Sequence, residues 1–112
     1  MKKETYNGWT NYETWVVNLW IGNDKESYDY WHQIADNCLA MAEKTDIFTK
    51  EEGAKYKLAD CIKNDLEEKN PLSDSPSFYS DLLGGAISEV NFSEIAGHLI
   101  LEHQDIVANE NS

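Results

Sequence analysis

Glu94, His98 and Glu102 recur at every fourth position near the C-terminus of a 112-residue chain. On a helix this spacing stacks two carboxylates and an imidazole on one face. Inside a helical bundle such a column could hold a divalent ion. The same spacing also describes a solvated face tied by i, i+4 pairs, and the neighbouring residues favour that second reading. His103 lies five residues from His98, so the two histidines do not share a face, and no C-x-x-C or H-E-x-x-H pattern accompanies them. Nucleophilic chemistry has as little support. Cys38 and Cys61 fall on apolar stripes rather than in the electropositive, exposed setting that yields a thiolate, and they read as small buried hydrophobes of a reducing cytoplasm. His32 could pair with Asp29 or Asp36, but its place beside Trp31 reads as a partly buried helix position. Gly84-Gly85 has no following lysine and lies inside an apolar stretch, unlike a phosphate-binding loop. We expect no enzyme activity, no cofactor and no metal.

The charge balance narrows the partners. Twenty-one acids against nine bases give a formal net charge of −12, and every base is lysine. A direct nucleic-acid binder needs a basic footprint to displace counterions, so that class is excluded. Without arginine there is no guanidinium fork for bidentate phosphate recognition. Carboxylates on rigid helices can instead imitate phosphate spacing and occupy a basic channel. Asp60, Asp65, Glu67, Glu68, Glu94 and Glu102 are the candidates for such a face. The longest apolar run, Val16 to Ile21, is broken by Asn18 and falls far short of the roughly 20 residues a bilayer span requires, so no membrane association is expected. Residues 4 to 7 are polar where an export signal would be apolar.

The elements that must position these groups are helical. One domain over residues 1–112 is expected, with 1–6 and 109–112 frayed. Thr10 with Glu13 marks the start of a first helix over about 11–21, and Gly22 its end. Tyr12, Trp15, Val16, Leu19 and Trp20 share a face that should be core. Trp9 should close over the first turn. A second helix runs over about 24–43 on the stripe Tyr28, Trp31, Ile34, Ala35, Cys38, Leu39 and Ala42. Thr49 and Glu52 form a capping box for a third, to about Lys69. Ser75-Pro76 opens a fourth, over about 76–89, and Asn91 with Glu94 caps a fifth, to about Ala108. No stretch alternates with period two, so no sheet is expected. The fold class is all-α, a compact single-domain bundle of about five short helices. Its core should come from the first helix, the Trp31 helix and the C-terminal helix pair.

Gly8-Trp9-Thr10-Asn11-Tyr12-Glu13-Thr14-Trp15, followed by Leu19-Trp20-Ile21, carries a resemblance. With the segment Asp81-Leu82-Leu83 and Ser88 to His98, it resembles a family of small phage, plasmid and mobile-element proteins of unknown function. Phe92 and Gly97 depart from that pattern, in which tryptophan and a charged residue are expected. The resemblance implies a mobile-element origin and a bacterial cytoplasmic setting, and no reaction. Joined to the acidity, it suggests an accessory protein that binds and inhibits a host defence protein, such as a restriction or CRISPR-type effector, by acidic nucleic-acid mimicry. The alternative is a non-enzymatic adaptor or regulator whose contact is an exposed aromatic patch around Trp9, Tyr12 and Trp31.

Overall fold

A computed structural model describes residues 5–110 of the chain. Five helices follow in order: α1 (Tyr12–Asn23), α2 (Lys25–Met41), α3 (Lys50–Glu68), α4 (Phe78–Ser88) and α5 (Phe92–Glu110). The fold is all-α, as expected, and the one extended pairing among the described residues is an isolated bridge between Tyr6 and Trp9. Residues 109 and 110 still belong to α5. The remainder of the expected frayed tail, and residues 1–4 of the expected frayed lead-in, lie outside the described residues.

Local capping chemistry decides most boundaries. Thr49 and Glu52 close the expected reciprocal box on α3, at 3.1 and 3.3 Å. Asn91 Oδ1 accepts from Glu94 N at 3.1 Å at the start of α5. Three details differ from the sequence expectation. Asn11, not Thr10, caps α1, accepting from Thr14 N at 2.9 Å. Gly22 does not end α1, because the break comes at Asp24, whose extended backbone stops α1 and whose carboxylate caps α2 through Ser27 N. Ser77, not Ser75, caps α4, in a reciprocal box with Ser80.

The core lies between α2, α3 and α5, which pack on one another, with α1 lying against α2 and α5. Trp31, Ala35 and Cys38 meet Ala54, Leu58, Ala59 and Ile62 of α3 and Ile95, Ala96, Leu99 and Ile100 of α5. Four of these are alanines, and their small side chains let the helix axes approach.

Two packing expectations are corrected. Only one member of the C-terminal helix pair supplies the core: α5 does, whereas α4 has no buried residue, with Phe78, Tyr79 and Leu82 exposed, and α3 takes the place expected for it. The apolar residues of α4 spread around the helix, so a single layer of contact covers only one side of it. The aromatic stripe of α1 is not the core face either. Thr14 and Ile21 are buried and Val17 packs beside them, whereas Tyr12, Leu19 and Trp20 are exposed, Trp20 to 68%. The segment is apolar on nearly all sides, so its periodicity does not single out one face.

Ahead of α1, Asn7 and Gly8 both take positive φ, 49° and 87°. Tyr6 and Trp9 exchange both backbone bonds at 2.8 Å across them. This is the two-residue turn that an Asn-Gly pair favours. It folds Tyr6 back against α1. Gly8→Val should destabilise the protein by about 1–2 kcal/mol, because a Cβ is disfavoured at left-handed φ. Gly8→Asn should cost much less, since asparagine tolerates that region. Urea denaturation of the two variants checks the difference.

Candidate functional site

The two sequence blocks that carry the resemblance meet at one junction, where the N-termini of α1 and α5 abut. Thr14 Oγ1 donates to Asn11 Oδ1 at 2.6 Å and accepts from Asn91 N at 2.9 Å. Asn11 Nδ2 donates to the Glu89 carbonyl at 2.7 Å, and Thr10 N donates to Glu94 Oε1 at 3.0 Å. Residues some eighty positions apart are thereby tied through side chains of the first turns, of which Asn11 also caps its own helix. An open depression of about 490 Å3 borders the junction, lined in part by Asn11, Asp60, Lys63 and Asn91.

The junction turns the opposite side of α1 outward, and that side is aromatic. Tyr6 meets Tyr12 edge-on at 5.2 Å between ring centroids, and Trp15 at 5.0 Å. Tyr12 and Trp15 are 5.8 Å apart. Leu19 and Trp20 extend the surface along the helix. Trp20 also walls a hollow of about 290 Å3, shared with Val16, Trp31 and Leu66. The aromatic patch expected around Trp9, Tyr12 and Trp31 is therefore redrawn. Tyr12 is exposed, Trp9 is half-buried and stacks on His98 at 4.3 Å, and Trp31 is a core residue only 5% exposed. Sequence reasoning did not place Tyr6 and Trp20 on the surface, and Trp15 is half-buried between Tyr6 and Tyr12. The Asn7-Gly8 turn was the available signal for Tyr6.

The six candidate carboxylates divide evenly. Asp60, Glu67 and Glu68 stand exposed on α3. Asp65 pairs with Lys69 at 3.0 Å, Glu94 is held by Thr10 N, and Glu102 accepts from the Tyr28 hydroxyl at 3.2 Å. The Glu94–His98–Glu102 column does not form a common site, since Glu94 serves the junction, His98 lies against Trp9 and Glu102 turns towards α2. Among the described residues no three His, Cys, Asp or Glu side chains converge as metal ligands would.

A second polar cluster, not found from the sequence, joins α2 to α5. His32 is buried and lies against the Tyr28 ring at 4.2 Å. Its Nδ1 faces Nδ1 of His103 at 3.4 Å, and its Nε2 faces Glu102 Oε2 at 3.7 Å. Asp36, expected as a partner of His32, instead meets His103 Nε2 at 3.0 Å. Burial pushes the His32 pKa below the usual histidine value, with His103 adding to the effect and Glu102 opposing it. His32 and Asp36 are one turn apart on α2, but what brings them to His103 is a helix 70 residues away.

Cys38 is buried and Cys61 half-buried, both are free, and both line an apolar cavity of about 580 Å3 together with Ile34, Met41 and Ala42. Burial, and then the neighbouring Cys61, push the Cys38 thiol pKa up, which agrees with reading it as a small hydrophobe.

Among the described residues no helix is long and apolar enough to cross a membrane. Neither a curated protein nor a solved structure matches the chain. A family model does match, over residues 2–91, which takes in the whole first motif block and α1 to α4: the chain belongs to the family of unknown function DUF7249.

Proposed function

We propose that this chain is a mobile-element accessory protein that binds a host defence protein in the bacterial cytoplasm, of the restriction or CRISPR-type effector class, and inhibits it by occupancy rather than by catalysis. The observation that carries this reading is the exposed Tyr12, Leu19 and Trp20 of α1, with Tyr6 packed beside Tyr12 ahead of the helix and Trp15 half-buried between them. Tyrosine and tryptophan are the side chains most often found to dominate interface energetics. α1 carries no basic residue, and the chain's net charge of −12 favours a basic partner and speeds encounter with it. The junction holds α1 from its other side, so the aromatic face is presented on a rigid element.

Acidic mimicry is the second reading, favoured by Asp60, Glu67 and Glu68 lying exposed on one helix. Lys63 stands on the same helix between Asp60 and Glu67 and interrupts the row. Salt separates the two readings, because exposed charge pairs are screened while apolar contacts are not. The tagged protein would be passed through a nuclease-treated bacterial lysate and washed at rising salt, and the retained nucleic-acid enzyme then assayed. Retention at high salt, with loss of about 30-fold or more in affinity on Trp20→Ala or Trp15→Ala, is the expected result for an aromatic anchor. Release by salt, with the tryptophan variants unaffected and Asp60→Asn/Glu67→Gln/Glu68→Gln weakened, would select mimicry. A partner with no nucleic-acid role would sink the anti-defence reading.

A further inference from the structure

We propose that α4 is the contact surface of a symmetric dimer, in which the exposed face Phe78-Leu82-Gly85 of one copy packs antiparallel against the same face of a second copy. This contact is separate from the α1 face. The first argument is what holds α4 in place. At 11 residues it is shorter than the roughly 12–15 at which isolated helices become even marginally stable in water, so it depends on packing. Yet α4 has no buried residue and packs extensively on no other helix of its own chain. The Ser77–Ser80 box secures only its first turn. Gly84 and Gly85 lie in its interior, where each lowers helix stability relative to alanine. A Cβ at either position would meet nothing within 4 Å, so no neighbour within the chain requires a glycine there.

The second argument is the shape of the exposed face. Phe78, Leu82 and Gly85 follow at i, i+4 and i+7, one stripe of the helix. Phe78 is 72% exposed, Leu82 58% and the neighbouring Tyr79 69%, and Gly85 is exposed as well. A two-fold axis makes the contacts of such a face reciprocal. With the helices antiparallel and the axis beside Leu82, the Phe78 ring of each copy lies over Gly85 of the other, and the two Leu82 side chains meet at the centre. A ring opposite a residue without a Cβ lets the two helices approach closely, which gives Gly85 a purpose that it lacks in the single copy. At roughly 150–250 Å2 for each fully buried aromatic side chain, Phe78 and Tyr79 offer roughly 400–700 Å2 over both copies. With Leu82 and the flanking residues this places the interface among the weak, reversible ones, which bury less than roughly 1,200 Å2. The third argument is charge. At −12 each, two copies repel one another over most directions of approach. α4 carries one charged residue, Asp81, so a second copy can meet this face without setting rows of carboxylates against each other.

The test is sedimentation velocity of the untagged full chain from about 10 µM to about 1 mM, at low and at high salt. A monomer–dimer equilibrium is expected, and it should tighten as salt screens the repulsion between copies. Phe78→Ala should weaken it about 10-fold or more, since the symmetry removes the contact twice. Gly85→Glu should abolish it by filling the place of the opposite ring with a carboxylate. In the single copy that side chain has open space, and glutamate is a better helix former than glycine, so circular dichroism should show undiminished helix content. Trp20→Ala should leave the equilibrium unchanged. A chain that stays monomeric at about 1 mM in high salt, or a dimer that survives Gly85→Glu, would overturn the proposal. So would a dimer that salt dissociates or that Trp20→Ala removes, because either result puts the contact on another face.

Discussion

Trp31→Ala is expected to cost about 3–5 kcal/mol of stability, while Trp20→Ala should change it by no more than about 0.5 kcal/mol. Both tryptophans lie on helical apolar stripes in the sequence, and the stripes alone make them equal candidates for the core. The structure separates them. Trp31 is 5% exposed, packs among Ala35, Leu58, Ile62 and Ile21 in the central cluster, and meets Tyr30 edge-on at 5.0 Å. Its truncation leaves a cavity that α2 and α3 cannot collapse to fill. Trp20 keeps most of its surface in water, and alanine is the better helix former, so its loss is close to neutral. A domain of this size is stable by only about 5–15 kcal/mol in total, so the Trp31 variant should show a large fall in its urea midpoint. The opposite ranking would mean that α1 is rotated, with its aromatic stripe inward, and would remove the basis for the proposed binding face.

Thr14→Val is expected to cost about 1–3 kcal/mol, although it keeps the side chain's shape. Thr14 is fully buried, and its hydroxyl both donates to Asn11 Oδ1 and accepts from the Asn91 amide. Valine leaves that amide without its protein partner at a part-buried position, which costs part of the desolvation of the group. Thr14→Ser retains both bonds and should be markedly milder. Asn11→Ala removes a helix cap, worth about 0.5–2 kcal/mol, together with the bond to the Glu89 carbonyl. Because Asn11 and Thr14 share one side-chain to side-chain hydrogen bond, the double variant should fall short of additivity by about 0.5 kcal/mol or more. Hydrogen exchange at the Asn91 amide gives a local readout that a general loss of packing would not single out. If valine and serine proved equally neutral, the junction would not be what sets α1 against α5.

The junction also bears on what the aromatic side chains are for. It uses Thr10, Asn11, Thr14, Asn91 and Glu94, and their roles are accounted for inside the fold. Tyr12, Trp15 and Trp20 take no part in it. Aromatic surface left in water has no structural reason within the described residues, and this is the physical basis for assigning it to a partner.

The all-α class, the number of helices and most of their ends were legible in the sequence, because each depends on neighbours within four positions. Thr49 with Glu52 and Asn91 with Glu94 are local chemistry, and local chemistry is written in order along the chain. The face Ala54-Leu58-Ile62 of α3 is apolar and its other faces are charged. Only the tertiary structure decided which side of α1 faces inward. Nearly every position from Trp15 to Ile21 is apolar, so burial energy differs little between rotations, and the choice fell to the Thr14 hydroxyl and its partner 77 residues away. It likewise decided that α4 stays on the surface while α3 joins the core. The histidine pair was beyond sequence reading for the same reason: His32 and His103 are brought together by the packing of α2 on α5, and no spacing along the chain records it.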